Sequence, residues 1–271
     1  MQAVLARLPV LSYLLLAATL VTLAVRSQND TTLALVVSSV LMFGFCAASA
    51  AHLLGPGAAL RFMAVALGLS WFAEQMGATR GWFFGEYDYT DVLGPRLGEV
   101  PVVIPMMWFA LTYAGYVMAN LIVSRTPVDR STGLADLALL SFLSAMIVTA
   151  FDLGADPYLV YKLKAWIMVK QDGWWFGETL QGFLGWMLVS FVIVMVFRLW
   201  QRGRSPQPAA GFSRRHAALP LLLYAGFMVF QMTMGYPVET RTVAAFAMGL
   251  PLVCAVAGWR HWTWSAPERV A

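Results

Sequence analysis

Residues 33–54 read LALVVSSVLMFGFCAASAAHLL, twenty-two positions with no Asp, Glu, Lys or Arg. A helix needs roughly 20 consecutive apolar residues to cross a bilayer, and one turn of Gly55, Pro56 and Gly57 separates this run from the next. Working outward, similar runs recur along the chain at 4–25, 58–77, 101–123, 134–152, 180–200, 218–236 and 242–259. The chain of 271 residues is 60% hydrophobic and 12% charged, where a soluble domain carries roughly a quarter charged residues. The expected fold class is therefore all-α: a polytopic membrane bundle of about eight helices forming one membrane domain over 1–271. Pro101 and Pro105 suit the opening turns of the fourth span, where a missing N–H costs little. The N-terminal run from Leu8 to Val25 follows Arg7 and lacks a small-x-small cleavage site before Arg26, so it reads as a retained span.

Composition removes several function classes. Cys46 and Cys254 lie in apolar runs without metal or redox spacing, and His52, His216 and His261 are far apart. A His-rich di-iron site is not expected, nor is a Rossmann cofactor site, since no G-x-G-x-x-G follows a strand-like segment. Neither cofactor, metal nor nucleic-acid partner is expected. Arg198, Arg202, Arg204, Arg214 and Arg215 crowd the loop between spans six and seven, and Arg125 and Arg130 lie in the 124–133 loop. The positive-inside rule places these loops and both termini in the cytoplasm, in a bacterial or archaeal cytoplasmic membrane. Asp129, Asp136 and Glu268 share that side. The remaining acids, Glu74, Glu86, Asp88, Asp91, Glu99, Asp152, Asp156, Asp172, Glu178 and Glu239, gather near the opposite face.

Two loops on that face carry the chemistry. Loop 78–100 contains Gly81-Trp82-Phe83-Phe84-Gly85-Glu86, and loop 153–179 contains Gly173-Trp174-Trp175-Phe176-Gly177-Glu178. The match points weakly to a pseudo-repeat; interfacial aromatic belts would give the same residues. Trp71, Glu74 and Gln75 share one face at the end of the third span, and Asp152 ends the fifth. Carboxylates at membrane depth are costly and commonly face a bundle interior or wet cavity. Asp88, Asp91, Asp172 and Glu239 read as solvated. Asp156 precedes Pro157, which biases it out of the helix into a turn. Trp108, Thr112, Tyr116 and Asn120 form a stripe on the fourth span, with Tyr224 and Gln231 on the seventh, a pattern more often packing than ligand contact.

Buried carboxylates, aromatic faces and an apolar cavity suit acid chemistry on an olefin. A buried carboxylic acid keeps its proton, and aromatic faces stabilise a carbocation by roughly 0.5–2 kcal/mol each. Water capture, cyclisation or proton loss can follow, and the same parts also suit a transporter or a pigment-binding protein. The glycine- and charge-rich segments lie at span ends rather than mid-membrane, which counts against transport.

At the two loops the sequence resembles the carotenoid biosynthesis protein family, which includes CruF-type carotenoid 1,2-hydratases. The first block carries Glu74-x-x-Gly77, Gly81, Phe84-Gly85-x-Tyr87-x-Tyr89, Val100-Pro101, Ile104-Pro105 and Trp108. The second carries Asp152, Asp156-Pro157, Trp166, Phe176-Gly177, Phe183 and Gly185-Trp186. The resemblance covers roughly residues 35–255. It implies a membrane-embedded lyase hydrating the C1–C2 double bond of an acyclic, lycopene-like carotenoid, in contact with membrane lipid and other enzymes of the pathway. A cyclase or isomerase sharing the protonation step is the alternative enzyme. Glu74 and Asp152 are then the candidate acid and water-positioning group, in either order. Trp71, Tyr87, Tyr89, Trp108, Asp156, Trp174 and Glu178 are candidates for substrate contact. The second block departs from the family pattern Gly-Val-Pro-x-x-Asn-Phe-x-Gly-Trp. Here Glu178 and Gly182 stand in the Val and Asn positions, and an expected Trp-x-Trp reads Trp166-Ile167-Met168. These departures put the substrate and the chemistry in question.

Overall fold

The structure is a computed structural model that describes residues 7–29, 31–128, 131–204 and 212–263. Residues 4–6 of the first expected span, and Asp129, Arg130 and Glu268, lie outside the described residues. Among the described residues, eight helical segments are long and apolar enough to cross a membrane. They are α1 (Leu8–Arg26), α2 (Thr32–Leu54), α3 (Pro56–Arg80), α4 (Val103–Ser124), α5 (Leu134–Pro157, continued by a π-turn over Tyr158–Lys162) and α6 (Leu180–Gln201). The seventh is α7 (Arg214–Ala217) with α8 (Leu219–Met234), and the eighth is α9 (Glu239–Ala247) with α10 (Gly249–Arg260). The protein is an all-α integral membrane bundle.

Local chemistry sets the helix starts. Thr31 accepts the Ala34 N–H to cap α2, and Thr179 accepts the Gly182 N–H to cap α6. Pro56 opens α3, where its missing N–H has no intrahelical partner to lose. Helix α4 is the core of the bundle, with 78% of its apolar window buried, against 28% for the first and last spans. It packs against α2, α3, α5, α6, α8 and α10. Two expected boundaries are corrected. Pro101 is not helical: Val100–Pro101 is a strand, β3, paired with β2 (Arg96–Leu97), and α4 opens at Val103 with Pro105 in its first turn. The fifth span does not end at Asp152 but runs one and a half turns further.

The loops between spans hold short strands that hydropathy does not report. Strand β1 (Tyr87–Tyr89) pairs antiparallel with β4 (Trp166–Met168), so the two aromatic loops meet on one face of the bundle. Trp71 Nε1 donates to Leu97 O at 3.0 Å, and Glu99 N–H donates to Gln75 Oε1 at 3.0 Å. The polar face of α3 thereby holds the β2–β3 hairpin.

Candidate active site

Glu74 is buried near the C-terminal end of α3 and is ringed by donors. Tyr87 Oη donates to its Oε2 at 2.5 Å, Tyr89 Oη to the same oxygen at 2.7 Å, and Trp108 Nε1 to Oε1 at 2.8 Å. Both tyrosines reach one carboxylate because side chains two apart on a strand point the same way. Asp88 between them is exposed. Gly77, one turn beyond Glu74, leaves room for this: a Cβ there would lie 2.8 Å from Tyr87 Oη. Three donors converge on one carboxyl, and such hydrogen bonds are stronger when the acceptor is ionised. The phenols stay protonated donors, because burial and the nearby Glu74 charge push both well above the usual tyrosine range.

The cavity beside Glu74 is lined mainly by rings. Trp108 stacks on Trp186 of α6 at 4.3 Å, Tyr89 meets Trp166 of β4 edge-on at 5.9 Å, and Phe84 leans on Trp108 at 6.1 Å. Ile104, Met107, Met168 and Gly182 complete the apolar lining, and Asp156 and Glu178 join Glu74 as its acidic members. Gly185 lets α6 approach the loop, since a Cβ there would lie 2.5 Å from the Phe83 carbonyl oxygen. The space open to water centres is about 40 Å³, and one water needs roughly 10–15 Å³.

A second carboxylate group closes the site. Asp152 and Asp156 stand one turn apart on α5, and with Glu178 they place an oxygen each within 4.8 Å of the others. Pro157 does not turn the chain out of the helix, contrary to the expectation for Asp156. A proline cannot donate to the carbonyl four residues back. Here that carbonyl, Leu153 O, accepts from Trp175 Nε1 at 2.8 Å instead. Trp175 belongs to a tight hairpin in which Gly173 N–H donates to Gly177 O at 3.1 Å and Glu178 N–H to Trp175 O at 2.9 Å. Tyr161 Oη also donates to Phe176 O. The hairpin that replaces the lost helical bond thus delivers Glu178 against Asp156.

Glu178 is 3% exposed, and burial, with Asp156 and Asp152 alongside, pushes its carboxyl up to about 12. Both Asp152 oxygens are buried without a hydrogen-bond partner. Among the described residues no lysine or arginine pairs with Glu74 or with this trio. Three adjacent carboxyls cannot all be charged at such depth. They share protons, or their oxygens take a hard cation, for which donor type and spacing are also suitable.

The sequence profile of carotenoid biosynthesis proteins matches residues 30–256, most of the chain. This chain belongs to the carotenoid biosynthesis protein family. It is also 30% identical over 129 residues to the bisanhydrobacterioruberin hydratase of Haloarcula japonica, a match covering 47% of this chain and 41% of that relative. The aligned part is therefore under half of either protein. No solved structure matches.

In this carotenoid biosynthesis protein Glu74, Tyr87, Tyr89, Trp108, Asp156 and Glu178 converge on one cavity. Asp152 does not line it but stands behind Asp156 and Glu178. Two candidates are not brought there. Trp71 is spent on the Leu97 carbonyl, and Trp174 is 93% exposed at the hairpin tip while its neighbour Trp175 turns inward. Asp88, Asp91, Asp172 and Glu239 are exposed. The pseudo-repeat fails at its acidic end, since Glu86 is exposed and Glu178 buried. Most of the fourth-span stripe packs: Thr112 bonds the Trp108 carbonyl and Asn120 the Pro127 carbonyl. Tyr224 likewise bonds the Ile147 carbonyl. Phe84, Trp166, Gly182 and Trp186 also line the cavity; sequence reasoning alone does not mark them as site residues, although the family blocks contain three of them and Gly182 marks a departure.

Proposed function

We propose that this protein is a carotenoid 1,2-hydratase, a hydro-lyase acting on an acyclic carotenoid end group in a bacterial or archaeal cytoplasmic membrane. The observation that carries the reading is the meeting, on one aromatic cavity, of a triply donated carboxyl with Asp156 and Glu178, none of them paired with a lysine or arginine among the described residues. The family membership and the hydratase relative support it.

In this reading the end-group olefin lies between the two. A carboxyl of the Asp156–Glu178 pair gives its proton to C2, and the C1–C2 π pair becomes the new C–H bond. The tertiary cation left at C1 faces Trp108, Trp186 and Tyr89, whose rings stabilise it by roughly 0.5–2 kcal/mol each. A water accepted by Glu74 attacks C1, forming the C–O bond, and its proton passes to the Glu74 carboxylate. Asp152 holds a further proton beside the pair, and solvent exchange resets both sides. Glu74 is thus the water-activating group and the trio the acid. Geometry also recommends Glu178 and Gly182 as the positions where this chain's end-group preference departs from the family's. The arginine-rich loops support an orientation with the site toward the non-cytoplasmic face and both termini in the cytoplasm.

The test is pigment analysis in bacteria that accumulate lycopene or a related acyclic carotenoid. Wild type is expected to yield a product heavier by one water, absent with Glu74→Gln and reduced with Asp156→Asn or Glu178→Gln at equal expression. A retention shift at unchanged mass indicates the cyclase or isomerase instead, and unchanged pigment rejects the reading for those substrates.

A further inference from the structure

A second chamber lies behind the acidic cavity. Its walls come from α1, α2, α4, α5 and α8, and include Leu35, Ser39, Met42, Ala155, Phe227 and Phe230. Its cavity volume is about 70 Å³, against about 40 Å³ for the acidic cavity. The two are neighbours in a specific sense. Ile104 and Met107, one turn apart on α4, line both. Met107 adjoins Trp108, whose indole holds Glu74. A group placed against Glu74 therefore has this second chamber directly beyond a partition of two apolar side chains.

The chamber differs from the site in chemistry. No carboxylate lines it; Ser39 Oγ donates to Leu35 O at 3.0 Å and Gln231 Nε2 to Phe151 O at 2.9 Å, while Gln231 Oε1 is buried without a hydrogen-bond partner. Arg26, at one edge, lies 5.1 Å over the Phe230 ring. What such mainly apolar walls accept is a long apolar chain. Methionine is unbranched and adaptable, so Met107 is suited to a partition that a thin chain must pass.

We infer that this chamber holds the polyene segment of the same substrate whose end group reacts at Glu74, with Ile104 and Met107 as the passage between them. The inference rests on the hydratase reading and adds the path of the chain. Its energetic role follows from differential binding: contacts far from the reacting bond position it, so chain contacts raise turnover at the end group. The chamber makes the enzyme selective for chain length, since a short isoprenoid with the same isopropylidene end fills the acidic cavity alone.

The experiment compares a full-length acyclic carotenoid with such a short isoprenoid, using the full-length protein in proteoliposomes. Ser39→Phe and Ala155→Phe fill the chamber from two different helices, and neither residue lines the acidic cavity. Expected is a loss on the order of tenfold or more in kcat/KM for the carotenoid, with the short substrate converted as by wild type. Equal loss on both substrates, or none on either, overturns the inference. A second measurement needs no variant: a diazirine-bearing acyclic polyene is photolysed on wild-type protein. Label on the peptides holding Phe227 and Phe230 or Met42 is expected. Label confined to outward-facing positions such as Leu139 or Val253 means that lipid chains fill the chamber, and rejects it as the polyene site. Wild type inactive on both substrates rejects the hydratase reading, while the labelling still decides occupancy.

Discussion

Replacing Trp175 by Phe removes the donor that satisfies Leu153 O, the carbonyl Pro157 cannot serve. A buried acceptor left unpaired costs about 1–3 kcal/mol. Pro157→Ala restores an N–H one turn away, able to bond that same carbonyl. In wild type the carbonyl is already satisfied, so Pro157→Ala changes only the proline's own helix penalty. That penalty is about 3 kcal/mol, is common to both backgrounds, and cancels in a double-mutant cycle. What survives is a coupling of about 1–3 kcal/mol, with Pro157→Ala helping Trp175→Phe more than it helps wild type. The assay is thermal unfolding in detergent, where each kcal/mol moves Tm by roughly 2–4 °C in chains near this size. Zero coupling, or coupling of opposite sign, refutes the claim that Trp175 substitutes for the missing helical bond. Trp175→Phe should also lower conversion, because the same hairpin carries Glu178.

Tyr87→Phe and Tyr89→Phe each remove one donor to Glu74; a hydrogen bond to a charged group is worth about 1.5–3 kcal/mol, so kcat/KM for water addition should fall roughly 10- to 100-fold. Full activity of either variant contradicts Glu74's assigned role. Gly185→Ala forces a Cβ to within 2.5 Å of a backbone oxygen, and overpacking of this kind costs about 1–3 kcal/mol; a lower Tm with lost conversion is expected, and an unaffected variant would mean the loop yields freely. Folded Glu178 holds its proton up to about 12, while the unfolded chain releases it above about pH 4.3. Its contribution is therefore full below that pH and declines as pH rises toward the folded value. Tm should fall between about pH 5 and 9, and Glu178→Gln should flatten the slope; an unchanged slope contradicts the assignment. If the trio shares protons rather than a metal, extensive chelation leaves conversion intact.

The spans were legible because membrane depth forbids charge over some twenty residues, and LALVVSSVLMFGFCAASAAHLL admits no other reading. The strands were not. Tyr87-Asp88-Tyr89 is three residues long, and its partner lies at Trp166–Met168, far along the chain, so no local pattern registers the pairing. The position of Asp156 escapes the sequence for a related reason. The rule that disfavours helix before proline is local, and the compensation comes from Trp175 in another loop. Glu74 was recognisable from its depth and its spacing to Gly77, which now has a steric reason in Tyr87. Trp174 and Trp175 are the same residue type in adjacent positions, and only packing distinguishes the exposed one from the one that caps Leu153. Glu178 appeared in the sequence as a departure from the family pattern, and the structure places that departure inside the cavity.

The most direct test of protonation followed by water capture is isotope incorporation. Membranes carrying the protein are incubated with an acyclic carotenoid in deuterium oxide enriched in oxygen-18, and the product is analysed by mass spectrometry after back-exchange in ordinary water. One deuterium retained on carbon at C2 and one oxygen-18 in the new hydroxyl are predicted, both lost with Glu74→Gln. Oxygen-18 without carbon-bound deuterium, or deuterium without added oxygen, would contradict the account.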